Sequence, residues 1–251
     1  MSDARTHLTE EEVDEVRRRL REPVPPARLS PSSDERDEVL NALIHATHAV
    51  QFEVSTARHR QLGTFALAEE RMVAIEKVPG RGYAATPMQS NDLLVWLGRQ
   101  LSLADTGESD GSAVVCDESQ LEELDRRAAS GEPLDTRSVL TSEDGDSGTI
   151  ERFARAWTTK TRGGRISLVA RPLNADDQPP PPIDLDWFVG GDRSLWATRV
   201  PLPGDSPSVG AVSVSSVELL AAVAWNLALL GWRGAPDLVV DNALPTPAIG
   251  N

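Results

Sequence analysis

Twice along this chain, three short stretches of alternating apolar and polar residues are followed by a strongly apolar helix. Few folds satisfy that order. In the first run Val50, Phe52 and Val54 alternate with polar residues, the period-2 signature of a half-buried strand. A polar turn around Arg58–Gly63 leads to Thr64–Ala68 and Met72–Val78, and Pro79-Gly80-Arg81-Gly82 turns into a short strand at Tyr83–Thr86. Ser90 or Asn91 then caps a helix that buries Leu93, Leu94, Trp96, Leu97 and Leu101. In the second run Gly163-Gly164 turns into a strand Arg165–Leu173, and the proline-rich Asn174–Pro182 is a loop, because proline cannot donate to a sheet ladder. Strands Ile183–Val189 and Ser194–Leu202 flank a Gly190-Gly191-Asp192 turn. After a Pro/Gly/Ser loop, Ser215 or Ser216 caps the apolar helix Val217–Trp232.

Further helices fit around these runs. Thr9 and Glu12 form a capping box for a helix to about Arg21, with Leu8, Val13, Val16 and Leu20 as its stripe. Ser33 or Asp34 caps a second helix carrying Val39, Leu40, Leu43 and Ile44. A strand Ala113–Cys116 and an acidic helix Ser119–Ala129 finish the first half, and Ile150, Phe153, Ala154 and Trp157 mark the helix that opens the second. The expectation is an α/β (α+β) protein with a pseudo-twofold, mostly antiparallel central sheet built from two β-β-β-α halves and flanked by helical bundles. The halves fall at 1–129 and 149–235, joined by an acidic linker 130–148 and followed by a loose tail 236–251; together they form one compact domain.

Composition narrows the function classes. Of 251 residues, 39% are hydrophobic, enough for a proper core. Thirty-nine acidic residues against 25 basic ones give a net charge of −14, a surface that repels nucleic acid and anionic lipid. The charge is uneven: Asp105–Glu151 holds fourteen acids against three arginines, whereas Arg152–Arg171 holds six basic residues and no acid. Two solvated blocks attracting one another across the fold account for this. The N-terminus lacks the cationic start and apolar core of a signal peptide, and the longest apolar run, Leu219–Trp232, is interrupted by Asn226 and falls short of a membrane span. A cytoplasmic protein without membrane insertion is expected.

Catalytic chemistry finds little support. Cys116, the one cysteine, sits in an apolar run and reads as a small core residue. His45 and His48, three apart on the second helix, could share a metal only if His59 joined them, and no HExxH-type pattern is present. Asp184 and Asp186 share one side of a strand, as acid/base or cation-binding carboxylates would, but alternate with Leu185 and Trp187 as any strand with one wet face does. The glycine pairs lack a phosphate-loop context, and no Gly-x-Ser-x-Gly elbow occurs. No catalytic residue, metal or cofactor is expected. Of six tryptophans, four follow Gly164, and tryptophan with arginine anchors protein interfaces.

The order of these elements resembles the EspG-type chaperones of actinobacterial type VII (ESX) secretion systems. The resemblance runs through the strands around Phe52 and Phe65, Ala74-Ile75-Glu76, the Pro79-Gly80 turn and Asp92-Leu93-Leu94. It continues through Gly163-Gly164-Arg165, Asp184–Trp187, Gly190-Gly191-Asp192-Arg193 before Trp196, and the Val217–Leu230 helix. It implies a cytosolic chaperone that binds the apolar helical tip of a PE–PPE-like heterodimer and delivers it for export. A semi-exposed apolar platform with a charged rim suits that role. The contact candidates are Arg58, Gln61, Arg81, Tyr83, Trp187, Phe188 and Trp196, with weak self-association as a further property. The alternative is an immunity or inhibitory protein whose acidic segment blocks a basic partner.

Overall fold

The computed structural model describes residues 6–19, 35–68, 71–78, 80, 82–130, 147–172, 176–200 and 208–233. The strands are β1 Thr6–Leu8, β2 His48–Thr56, β3 Arg60–Ala68, β4 Arg71–Val78, β5 Gly82–Gln89, β6 Ala113–Asp117, β7 Arg162–Ala170, β8 Ile183–Val189, β9 Leu195–Val200 and β10 Ser208–Ser213. The helices are α1 Glu10–Arg19, α2 Glu35–Ile44, α3 Leu93–Gln100, α4 Glu118–Ser130, α5 Ser147–Thr158 and α6 Ser216–Leu229. All ten strands join one antiparallel sheet in the order β1-β5-β4-β3-β2-β7-β8-β9-β10-β6.

That order reads the same from either edge. β1-α1-α2 followed by four strands and α3 is matched by β6-α4-α5 followed by four strands and α6. Each half is therefore longer than β-β-β-α, with a fourth consecutive strand and an outer strand added. β6 pairs with β10 at the far edge, so segment 113–130 packs with the second half. The match extends to the helix starts. Thr9 accepts from the Glu12 amide at 3.2 Å while Glu12 takes the Thr9 amide at 2.8 Å. Asp117 accepts from the Gln120 amide at 2.8 Å while Gln120 takes the Asp117 amide at 2.9 Å. Both outer strands thus run straight into a helix through a reciprocal capping box.

The halves meet at β2 and β7, paired over nine residues from His48↔Ala170 to Thr56↔Arg162. Gly163 and Gly164 lie inside β7 rather than at a turn. A Cβ on Gly164 would stand 1.8 Å from the Glu53 carbonyl oxygen, and one on Gly163 2.9 Å from Phe188 Cβ. The glycines are there because neighbouring strands approach closely, which looks like turn chemistry in a sequence.

One sheet face is covered by α3 and α6, over Val50, Phe52, Phe65, Ile166, Leu168 and Trp187. α6 opens with its own box, Ser215 with Glu218, and closes where Gly231, at φ +92°, lets the Trp232 amide reach the Leu227 carbonyl at 3.0 Å. The other face carries α1 and α2 at one end and α4 and α5 at the other.

Several expectations are corrected. Leu8 belongs to β1, and the expected Pro/Gly/Ser loop contains β10, whose backbone is held by β6 and β9. The turn at Arg58–Gly63 shrinks to residues 57–59, because β3 begins at Arg60. α3 is entered through a 3-10 turn, Ser90–Asp92, with no side-chain cap. His48 is not on the second helix: α2 ends at Ile44, and His48 is a buried residue of β2. Its imidazole meets the Leu230 carbonyl at 3.0 Å, and burial lowers its pKa. The proposed caps Ser33 and Asp34, Leu20, Arg81, and most of the linker and tail lie outside the described residues.

Candidate functional site

Between the two helical pairs the sheet floor is uncovered. Alternation along the strands brings Gln51 and Glu53 of β2, Leu62 and Thr64 of β3, Arg165 and Ser167 of β7, and Asp184 and Asp186 of β8 to this trough. An ion-pair ladder crosses it. Arg60 holds Glu53 at 2.6 Å, and Arg165 donates to both oxygens of Asp186 at 2.6 and 3.1 Å. Arg165 also lies 3.5 Å from Asp184, which accepts from Ser167 at 2.5 Å. The Arg60 hydrogen bond pulls the Glu53 pKa below the usual carboxylate range, against a smaller opposing effect of burial. Both aspartates singled out as acid/base or cation-binding candidates are thus engaged by a guanidinium.

A cavity opens at each end of the trough. The first, about 480 Å³, lies under α1, with Val13, Val16, Leu62, Lys77 and Tyr83 in its wall. Leu62, half exposed, is its accessible apolar group, and the Lys77 ammonium stands 5.9 Å from the Tyr83 ring. The second, about 510 Å³, is lined by Thr56 and Ala57 at the β2–β3 turn, Leu121 of α4, Trp157 and Lys160 at the end of α5, and Phe188. Its wall backs onto an aromatic cluster: Phe153 stands 5.9 Å from Trp157, 6.0 Å from Phe188 and 5.2 Å from Trp196. Lys160 lies 4.2 Å over the Trp157 ring, and Asp125 accepts from the Trp157 indole at 3.0 Å and from Lys160 at 2.9 Å. The mouth is therefore half apolar and half charged.

The six contact candidates among the described residues do not converge. Arg58 is exposed in the turn beside the second cavity, and Tyr83 is half-buried in the wall of the first. Gln61 lies on the opposite face, donating to Gln100 of α3 at 2.6 Å. Trp187, Phe188 and Trp196 are only 2%, 4% and 2% exposed, so they do not form an exposed strip. Trp187 packs under α6, whereas Phe188 and Trp196 pack under α5, because consecutive strand residues face opposite ways. The residues the sequence reading passed over are Leu62, Leu121, Trp157 and Lys160. The helical spacing of Trp157 marked it as core; its position as the last residue but one of α5 is the signal that it reaches the rim.

The two charge blocks meet. Arg152 pairs with Asp110 and Lys160 with Asp125. Burial pushes the Asp110 pKa up, but hydrogen bonds from Ser112 and Arg152 outweigh it and bring it down to about 2. Arg126 and Arg127 likewise bring Glu123 down to about 2. Cys116 is buried, which with the nearby Asp117 charge pushes its thiol up to about 12, unsuited to nucleophilic work. His45 follows α2, His48 is in the sheet and His59 lies in the β2–β3 turn; among the described residues no three His, Cys, Asp or Glu side chains could hold a metal ion. No helix among them is long and apolar enough to cross a membrane.

No protein-family model and no curated sequence matches this chain. Among solved structures it is similar to the type VII secretion system chaperone EspG5 of Mycobacterium tuberculosis, determined in complex with a PE25–PPE41 dimer. The two superpose with a TM-score of 0.54 at 12% identity, over 86% of this chain and 93% of that one. The two chains share a fold. At that identity the likeness is one of architecture, and no side chain is carried across by it.

Proposed function

We propose that this protein is a cytoplasmic chaperone of a type VII secretion system that holds the apolar helical end of a PE–PPE-like heterodimer until export. The observation that carries the reading is the fold shared, nearly end to end, with a chaperone seen bound to such a dimer. The trough suits the role physically. Its cavities offer apolar groups, Leu62 at one and Trp157 with Leu121 at the other, within a charged rim. Such a surface takes up an apolar helix tip without exposing a large greasy patch when empty. Arg58 and Tyr83 are the contact residues we retain from the sequence, joined by Leu62, Trp157 and Lys160. Phe188 supports the second cavity from beneath. The reading is of a binding protein, not an enzyme.

The test is co-expression of the full chain with PE–PPE pairs of its own organism, followed by size-exclusion chromatography. A stable ternary complex is expected. Leu62→Asp and Trp157→Ala, each checked for unchanged melting, should each weaken it by roughly tenfold or more, as truncation of interface anchors does. Absence of a complex with every such pair, from folded protein, overturns the proposal.

A further inference from the structure

The pseudo-twofold relates the two edges of the sheet, yet they are finished differently. β1 has three residues, α1 begins two residues later, and the His7 carbonyl accepts from Arg36 of α2 at 3.4 Å. That edge is short and capped, one of the ways proteins stop strands adding to a sheet. β6 has five residues, Ala113-Val114-Val115-Cys116-Asp117. The Ser213 amide donates to the Ser112 carbonyl at 2.8 Å, which sets Ser112, Val114 and Cys116 to bond toward β10. By antiparallel alternation, the amides and carbonyls of Ala113, Val115 and Asp117 then point away from the sheet. Gln120 takes the Asp117 amide. The backbone groups of Ala113 and Val115 have no partner among the described residues. β6 contains no proline or lysine to discourage a further strand.

Charge says what such a strand must carry. From Asp105 to Ser130, the stretch leading into β6 and out along α4, there are eight acids against two arginines, and with Asp110 paired to Arg152 and Asp125 to Lys160 a net charge of −4 remains. Asp105, Glu108 and Glu122 are exposed. Two copies of this chain joined edge to edge would bring these acidic stretches together, so a second copy is disfavoured. We propose that the β6 edge receives an extended, lysine- or arginine-bearing segment of a partner protein as an eleventh strand. Main-chain hydrogen bonds to Ala113 and Val115 hold it, and the flanking carboxylates select its charge. No β6 residue lines either cavity, so the strand edge itself lies outside the client trough and its pairing stands whether or not that reading does.

Amide exchange on the full chain is the first measurement. The Val115 amide should exchange without protection while those of Val114 and Cys116 are protected. A short peptide alternating valine and lysine is then titrated by NMR, with a valine–glutamate peptide as control. The lysine peptide should shift and protect Val115, and its affinity should fall about tenfold between about 0.05 and about 0.5 M salt. The glutamate peptide should show no saturable binding. Val115→Pro removes the outward amide, which an edge strand tolerates, and should abolish binding with the fold retained. If it does not fold, Val115→Lys keeps the backbone and should weaken binding of the lysine peptide by like-charge repulsion. The proposal is overturned if Val115 is protected in the free protein at all dilutions, meaning its own chain covers the edge. Protection only at high concentration, meaning a second copy does, overturns it too. Equal binding of the two peptides, or binding undiminished in the variants, does the same.

Discussion

Under α1 and α2 the sheet is packed with aliphatic side chains: Leu8, Val13, Val16, Val39, Leu43, Val73 and Ile75. Under α4 and α5, the matched pair across the pseudo-twofold, three buried aromatic rings and the half-buried Trp157 fill the same place around Phe153. The connectivity is shared and the filling is not. Many small aliphatic contacts spread cohesion across an interface, whereas a ring cluster concentrates it in edge-to-face contacts around one residue. The aromatic half reaches its cavity through an indole, Trp157, whereas the aliphatic half reaches the other through Val13, Val16 and Tyr83. A duplicated architecture can thus line two matched mouths with different chemistry.

Truncating the centre of each cluster separates the two modes most sharply. Phe153→Ala should cost about 3–5 kcal/mol, since it empties a fully buried site touched by three rings. For a chain of this size that lowers the melting temperature by about 10 °C, readable by calorimetry. Leu43→Ala, equally buried among neighbours that can close in, should cost about 2–3 kcal/mol. Equal losses would mean that the ring cluster concentrates nothing. A smaller effect tests the matched caps. Thr9→Ala and Asp117→Ala should each cost about 1 kcal/mol in urea melts, and a silent change at either would break the equivalence of α1 and α4.

The finest distinction is in acid. The Glu12 pKa is lowered from 4.5, chiefly by the Thr9 amide hydrogen bond, and that of Asp117 from 3.8, chiefly by the Ser119 hydroxyl. A carboxylate depressed in the folded state stabilises above its unfolded pKa and loses that contribution as pH falls through its folded one. Gln120, the other half of the second box, does not titrate. The contribution of Glu12 begins to fall below 4.5 and that of Asp117 only below 3.8, so acidification should begin to loosen α1 before α4, and amide exchange recorded over a falling pH series would show α1 amides losing protection first.

Much of the frame was legible from periodicity. β2 alternates from Val50 to Val54 and β8 from Ile183 to Trp187, and turn-formers flank β8, which begins and ends where expected. β1 is too short to show a period, and β10, Ser208-Val209-Gly210-Ala211-Val212-Ser213, carries loop-like residues whose strand state is imposed by β6 and β9. Gly163 and Gly164 announced a turn because glycine tolerates both a bend and a close approach, and only the position of β2 decides between them. The site was less legible still. Trp187 and Phe188 are adjacent in sequence yet serve cores on opposite faces, and which face is wet depends on where four distant helices land. Trp157 and Leu62 reach the surface only because the helical pairs stop short of the centre.

The seam between the halves pairs His48–Thr56 with Arg162–Ala170, more than a hundred residues later in the chain. Closing that distance costs loop entropy before any ladder bond repays it, so this is the contact expected to form late and to set the folding rate. During synthesis the first half emerges with β2 as a long open edge, whose ladder partner β7 is made only later. A protein proposed to guard the apolar surface of others passes through a stage in which its own unpaired strand is exposed to neighbours on the same message.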